Sequence, residues 1–265
     1  MTDDVVVIPF NDVEAAERII RANAADIAAV LLDAVPSYLG FVQATQRFTN
    51  MIERVTREIG ALFILDEVIS FRCHTGGVQT LLGIQPDLTT LGKIIGGGFP
   101  VGAVAGRREF MRIYDHRQGK PGLPWSGTFT ANPVTMTAGK VTLDLLDDAA
   151  IDRMTQLNSR LMAALNQAFA RSGFPGQVTG FGSSFMVFGH GRKVTDYRSG
   201  YSTPEETRRV VALQRALTLA GFHIARTGKA FLSTPMTDED IDSFIDAVNR
   251  IVDARLEPMS AGLVS

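Results

Sequence analysis

Residues 4–148 alternate continuous apolar runs with amphipathic helical stretches, and this alternation limits the chain to few architectures. The predicted strands are Val5–Pro9, Ile27–Leu32, Ala61–Leu65, Asp87–Leu91 and Val101–Ala105. Mostly continuous apolarity means that both faces of a strand are covered, as when helices flank a sheet. Helical stretches fall between them at Val13–Asn23 and Phe48–Ile59. In the second, Phe48, Ile52, Val55 and Ile59 recur at three- and four-residue spacing and make one apolar face. The expected fold is an open, mainly parallel α/β sheet.

From about Thr137 the pattern changes. A predicted helix over Pro133–Leu146 leads into a long one near Ile151–Ser172, which Gly173–Gly176 ends with the help of Pro175. Short β-like runs follow at Gln177–Phe188, Phe222–Ala225 and Ala230–Ser233, interleaved with helices at Pro204–Ala220 and Asp238–Arg255. This reads as a smaller α+β domain, with the boundary inside residues 137–150.

Charge and cysteine content narrow the function classes. Lys and Arg total 26 against 28 Asp and Glu, so nothing global draws the chain to nucleic acid or an anionic membrane. The single cysteine, Cys73, excludes an intramolecular disulfide framework and any zinc site needing several thiolates. No run approaches the length of about 18 apolar residues needed for a membrane span. An acidic start at Met1–Asp4 is unlike a secretory signal, so the cytoplasm is the expected location.

Three stretches carry chemistry. Leu62–Val68 is an apolar strand ending in Asp66-Glu67, at the edge where open α/β sheets place ligands. The pair is either a solvated loop start or includes one buried carboxylate, which must then face a cationic or protonated partner. Lys93 follows the next strand and precedes Ile94-Ile95 and three glycines, Gly96–Gly98. It is either an exposed lysine before a turn or a desolvated amine suited to Schiff-base chemistry. The third stretch, Trp125–Pro133, is a hydroxyl-rich turn opening a helix. Its N–H groups and hydroxyls suit a phosphate, while Asn132-Pro133 equally suits an ordinary helix cap.

In this order, Asp66, Lys93 and Gly127-Thr128 resemble the class III aminotransferases, pyridoxal-phosphate enzymes of fold type I. The run DLTTLGKIIGGGFPVGA is similar to that family's cofactor-lysine segment almost letter for letter. The resemblance extends from Val5 to the last helix and lies nearest to glutamate-1-semialdehyde aminomutases and β-amino-acid aminotransferases. It implies that residues 1–140 are the C-terminal part of a large pyridoxal-phosphate domain and 141–265 a small α+β domain. It also implies roles. Lys93 is the Schiff-base lysine and proton shuttle, Asp66 pairs with the pyridine nitrogen, and Val68 packs on the ring. Thr128 and the Gly127 backbone reach the cofactor phosphate of a neighbouring subunit in a dimer. Substrates are an amino acid and an oxo acid, and Arg226 lies near a position that binds substrate carboxylate.

The resemblance also marks departures. Family members extend further at the N-terminus, with two further strands, a Gly-Ser/Thr phosphate loop and an aromatic residue that stacks on the cofactor. No Ser-Gly-x-Glu-Ala-like loop occurs here. By the family's sheet order, Val5–Pro9 and Ile27–Leu32 are not neighbours, so either they pair in an altered sheet or an apolar edge is left open. Asp33-Ala34-Val35 stands where many members have Glu-Pro-Val. The rival to a transaminase or aminomutase is a catalytically incomplete fragment, or a subunit that works through a heteromeric partner. Cys73-His74 and the scattered His116, His190 and His223 form no recognisable metal pattern, and the histidines are expected in polar loops or with satisfied nitrogens.

Overall fold

Four of the five predicted N-terminal strands form, and one does not. The computed structural model describes residues 4–254, which fall into two units. The first comprises residues up to Ala34 with Ala44–Asp148; the second comprises Val35–Gln43 with residues from Ala149 onward.

The first unit runs α1 (Val13–Ala22), β1 (Ala29–Leu32), α2 (Gln46–Ile59), β2 (Leu62–Asp66), α3 (Gly77–Leu82), β3 (Leu88–Gly92), β4 (Gly102–Gly106), α4 (Arg108–Met111) and α5 (Pro133–Leu145). Its sheet order is β1-β2-β3-β4. The first three strands are parallel, with Leu32 opposite Leu65 and Asp66 opposite Thr90, and β4 is antiparallel, with Gly102 opposite Gly92. Helix α2 forms as its periodicity requires. Thr45 caps it by accepting from the Phe48 N–H at 3.3 Å, Gly60 ends it at φ +74°, and Phe48, Ile52 and Val55 are buried.

Val5–Pro9 is not a strand. Val5 and Val7 are 65% and 81% exposed, and Asn11 turns the chain at φ +64° directly after the segment. β-propensity without a partner ladder does not make a strand. Of the two arrangements left open by the sequence, the open edge is the one found. Among the described residues no strand lies beyond β1, and Leu31 is 62% exposed.

The second unit contains α6 (Asp148–Ser172), β5 (Gln177–Phe181), β6 (Ser184–Phe188), α7 (Tyr197–Gly200), α8 (Pro204–Leu219), β7 (Lys229–Phe231) and α9 (Asp238–Asp253). Its three strands form an antiparallel sheet in chain order. The run Gln177–Phe188 is a hairpin rather than one strand, because Gly182 at φ +56° reverses the chain. Phe222–Ala225 pairs with no strand; the Ala225 N–H instead donates to the Lys229 carbonyl across a tight turn. Arg255, the expected end of the last helix, lies outside the described residues. The core joins Leu157, Leu161, Leu165 and Phe169 of α6 to Phe185 and Val187 of β6, Leu213 of α8 and Val248 of α9.

One ion pair in this unit has a pH signature. Glu206, buried at the start of α8, accepts from Arg192 at 3.0 Å and from the Thr203 N–H at 2.8 Å. The Arg192 hydrogen bond chiefly holds its carboxyl down, from an ordinary 4.5 to about 2. A depressed carboxyl contributes stability that is complete above the unfolded value and lost as pH falls toward the folded one. Denaturant midpoints are therefore expected to fall between pH 4.5 and about 2. Arg192→Ala should flatten that slope; an unchanged slope would dissociate it from this pair.

Candidate active site

The parallel strands β1, β2 and β3 end on one side of the sheet, the side where ligands bind in open α/β folds. Asp66 is the last residue of β2, and Lys93 follows the last residue of β3. Three contacts bring these ends together. Asp66 lies opposite Thr90 in the ladder, the Glu67 N–H donates to the Thr90 carbonyl at 2.9 Å, and Gly92 lies against Val68. A Cβ on Gly92 would sit 3.3 Å from the Val68 Cγ1, so this glycine lets the two strand ends close on each other.

The two acids separate cleanly. Asp66 is half-buried, and its Oδ1 accepts from the Val68 N–H at 2.9 Å, which fixes the carboxylate at the strand end. Glu67 is the buried one, at 0% exposure. Its oxygens accept from backbone donors of α3, the Val78 N–H at 2.6 Å and the Gln79 N–H at 2.9 Å. Burial pushes its carboxyl upward, against the pull of those two N–H groups. The sequence alone did not distinguish the two; the Gly76-Gly77-Val78 opening of a short helix was the available signal.

Lys93 begins a single 3₁₀ turn, Lys93–Gly96, and has φ +48°. A side chain in that left-handed region costs on the order of 1 kcal/mol or more, and such outliers concentrate at functional sites. The ammonium is exposed rather than desolvated. Ile94 and Ile95, the apolar neighbours behind that expectation, are themselves only half-buried and do not enclose it.

Gly127 and Thr128 lie in an exposed turn ahead of α5. The cap reading of the neighbouring residues holds: Asn132 Oδ1 accepts from the Thr135 N–H at 2.9 Å, with Pro133 in the first helical turn. Helix α5 then packs on the Lys93 turn through two glycines. A Cβ on Gly139 would meet the Ile95 carbonyl at 2.1 Å, and one on Gly97 would meet the Ala138 carbonyl at 2.3 Å. This contact links the Thr128 turn to Lys93 through one helix, and periodicity did not reveal it.

Arg226 belongs to the second unit, exposed in the turn between Ala225 and Lys229. Cys73 is buried, and burial pushes its thiol up to about 12, which removes it as a nucleophile. His74 is engaged locally, its Nδ1 accepting from the Gly76 N–H at 2.9 Å. Among the described residues no group of three or more His, Cys, Asp or Glu is placed to hold a metal. His190 is buried, and its Nδ1 lies 3.4 Å from the Gln177 Nε2.

Known proteins resemble this chain over most of its length. The family model for class-III aminotransferases matches residues 3–252. A glutamate-1-semialdehyde 2,1-aminomutase from Thermomicrobium roseum is 37% identical over 253 residues, covering 93% of this chain and 57% of that protein. Among solved structures, an omega-transaminase from Sphaerobacter thermophilus superposes with a TM-score of 0.92 at 43% identity, over 96% of this chain and 58% of its own. A β-phenylalanine aminotransferase from Variovorax paradoxus gives 0.83 at 31% identity, over 94% and 57%. The α/β fold of the type I enzymes is thereby borne out, and the chain spans a little over half the length of these relatives.

Proposed function

The chain belongs to the class III aminotransferase family, and on that premise we propose that it takes part in pyridoxal-phosphate-dependent transfer of an amino group. The reaction is transfer between an amino acid and an oxo acid, or the internal transfer that isomerises glutamate 1-semialdehyde. The observation that carries this reading is the placement of Asp66, Val68 and Lys93 on two adjoining strand ends.

The donor set fits the cofactor. A half-buried carboxylate suits a protonated pyridine nitrogen, a branched apolar side chain suits a ring face, and a primary amine suits an aldehyde. Pyridoxal 5′-phosphate, when bound, supplies the electron sink for the chemistry. Asp66 orients it by charge, and the Val68 N–H holds the Asp66 Oδ1 in place. Val68 covers one face and excludes water from it. Lys93 Nζ would hold the group and, as a free amine, would take and return the substrate proton. The Gly127 backbone and the Thr128 hydroxyl are assigned to the phosphate of a neighbouring protomer, which makes the working form a dimer. Arg226 is assigned to substrate carboxylate by the resemblance, its alternative being an exposed surface charge. The two units are assigned as the C-terminal part of the large domain and the small domain. A cytoplasmic location accords with the single free cysteine, and no described helix is long and apolar enough to cross a membrane.

A second reading, a subunit completed by a heteromeric partner, is favoured by the open edge at β1. One experiment addresses both. The chain is mixed with pyridoxal phosphate, its absorbance is scanned from roughly 300 to 500 nm, and borohydride is added. A reducible band near about 410–430 nm supports a cofactor site on this chain. A band only after a partner polypeptide is co-purified supports the second reading. No band in either preparation overturns the first, and a stable, loaded, active homodimer of this chain alone overturns the second.

A further inference from the structure

Glu67 has every polar group engaged. Its N–H donates to the Thr90 carbonyl of β3 at 2.9 Å, and its carbonyl accepts from the Phe71 N–H at 3.1 Å. Its two carboxylate oxygens take the Val78 and Gln79 N–H groups of α3. One residue thus ties together β2, β3, the turn Ser70–Cys73 and α3. A fully buried carboxylate is costly, so its presence here implies a use beyond filling space.

The residue across from it is built to match. Gly77 has φ +75°, and a Cβ there would come within 2.4 Å of one carboxylate oxygen and 2.7 Å of the other. Only glycine admits both the conformation and the approach. Glu67 stands between Asp66 and Val68 in the chain, so whatever fixes its backbone fixes the residues on either side.

We propose that Glu67 is the positioning residue of the candidate site, its carboxylate gripping the start of α3 and thereby holding Asp66 and Val68 in register with the Lys93 strand end. The proposal rests on the reading of Asp66 and Val68 as cofactor contacts. Glu67 does not itself touch cofactor or substrate. It acts through its neighbours.

The test is amide hydrogen exchange on the full chain, wild type against Glu67→Gln, each rate divided by that of the core amide of Val55 in α2. An amide side chain keeps one of the two acceptors and turns a donor toward the other N–H. The Val78 and Gln79 amides are expected to exchange about ten- to a hundredfold faster, the loss of a charge-assisted hydrogen bond. The decisive amide is Val68, which donates to Asp66 and not to Glu67. Its relative rate should rise by about tenfold as well, and pyridoxal phosphate should bind about tenfold more weakly.

Gly77→Ala is the second variant. It leaves the Glu67 charge and length intact but crowds the carboxylate, and it should accelerate Val68 in the same way. Normalising to Val55 separates a local effect from a general loss of stability. Faster exchange at Val78 and Gln79 with Val68 unchanged in both variants overturns the proposal, because Glu67 would then only stabilise α3. Coupled exchange at Val68 in a chain that takes up no pyridoxal phosphate sustains the positioning role and counts against the cofactor reading instead.

Discussion

Lys93→Ala is expected to abolish the borohydride-reducible absorbance and to lower amino-transfer turnover by at least about 10²–10⁴-fold, the share of general acid–base catalysis alone. The backbone argues that this loss would be chemical rather than structural. Alanine at φ +48° bears the same left-handed penalty as lysine, and the exposed ammonium leaves no cavity when removed. Circular dichroism and the thermal midpoint should therefore stay close to wild type. Asp66 and Val68 remain in place, so the variant should still bind the cofactor non-covalently, with free-aldehyde absorbance. A variant that keeps its reducible band, or full turnover, refutes the assignment of Lys93.

Gly139→Ala is expected to lower stability strongly for a substitution that adds a single carbon. The new Cβ would lie 2.1 Å from the Ile95 carbonyl, and 3.4 Å from the Cα of Gly96. Both atoms are backbone, so no flexible side chain can yield, and either α5 or the Lys93 turn must move. Overpacking of this kind costs typically about 1–3 kcal/mol. The displaced turn carries Lys93, so cofactor uptake should weaken together with the thermal midpoint. Gly102→Ala is the matched control, because nothing lies within 4 Å of a Cβ built there. That substitution should change stability by no more than about 0.5 kcal/mol. Equal effects from the two would mean that the close approach of α5 to the Lys93 turn is not a constraint.

Much of this architecture could be read from residue patterns. The apolar face of α2, the cap at Asn132 and the change of pattern near α5 all rest on local propensity and spacing, which the sequence carries openly. The edge of the sheet could not be read in that way. Val5–Pro9 has the composition of a strand, but a strand is a relation between two segments, and among the described residues no strand pairs with it. The site divides similarly. Asp66 and Lys93 were singled out by the resemblance, while their residue types and positions alone left the bland readings open. Which acid is buried depended on Gly77, ten residues further on, whose missing Cβ opens space for the Glu67 carboxylate. The desolvated amine failed for a related reason: two isoleucines next to Lys93 in the chain do not enclose it in space.

The backbone angle at Lys93 sets the proposed chemistry against durability. Glycine at this position would shed a penalty on the order of 1–3 kcal/mol, offset by about 0.4–1 kcal/mol of extra freedom in the unfolded chain. On physical grounds alone, then, drift should be biased toward losing the amine. A descendant of this chain with no need of that amine would gain robustness by the exchange, as it would at Asn11, Phe41 or Ala131, which share the left-handed conformation. Libraries selected only for heat resistance should enrich glycine there, whereas libraries selected for turnover should hold the lysine.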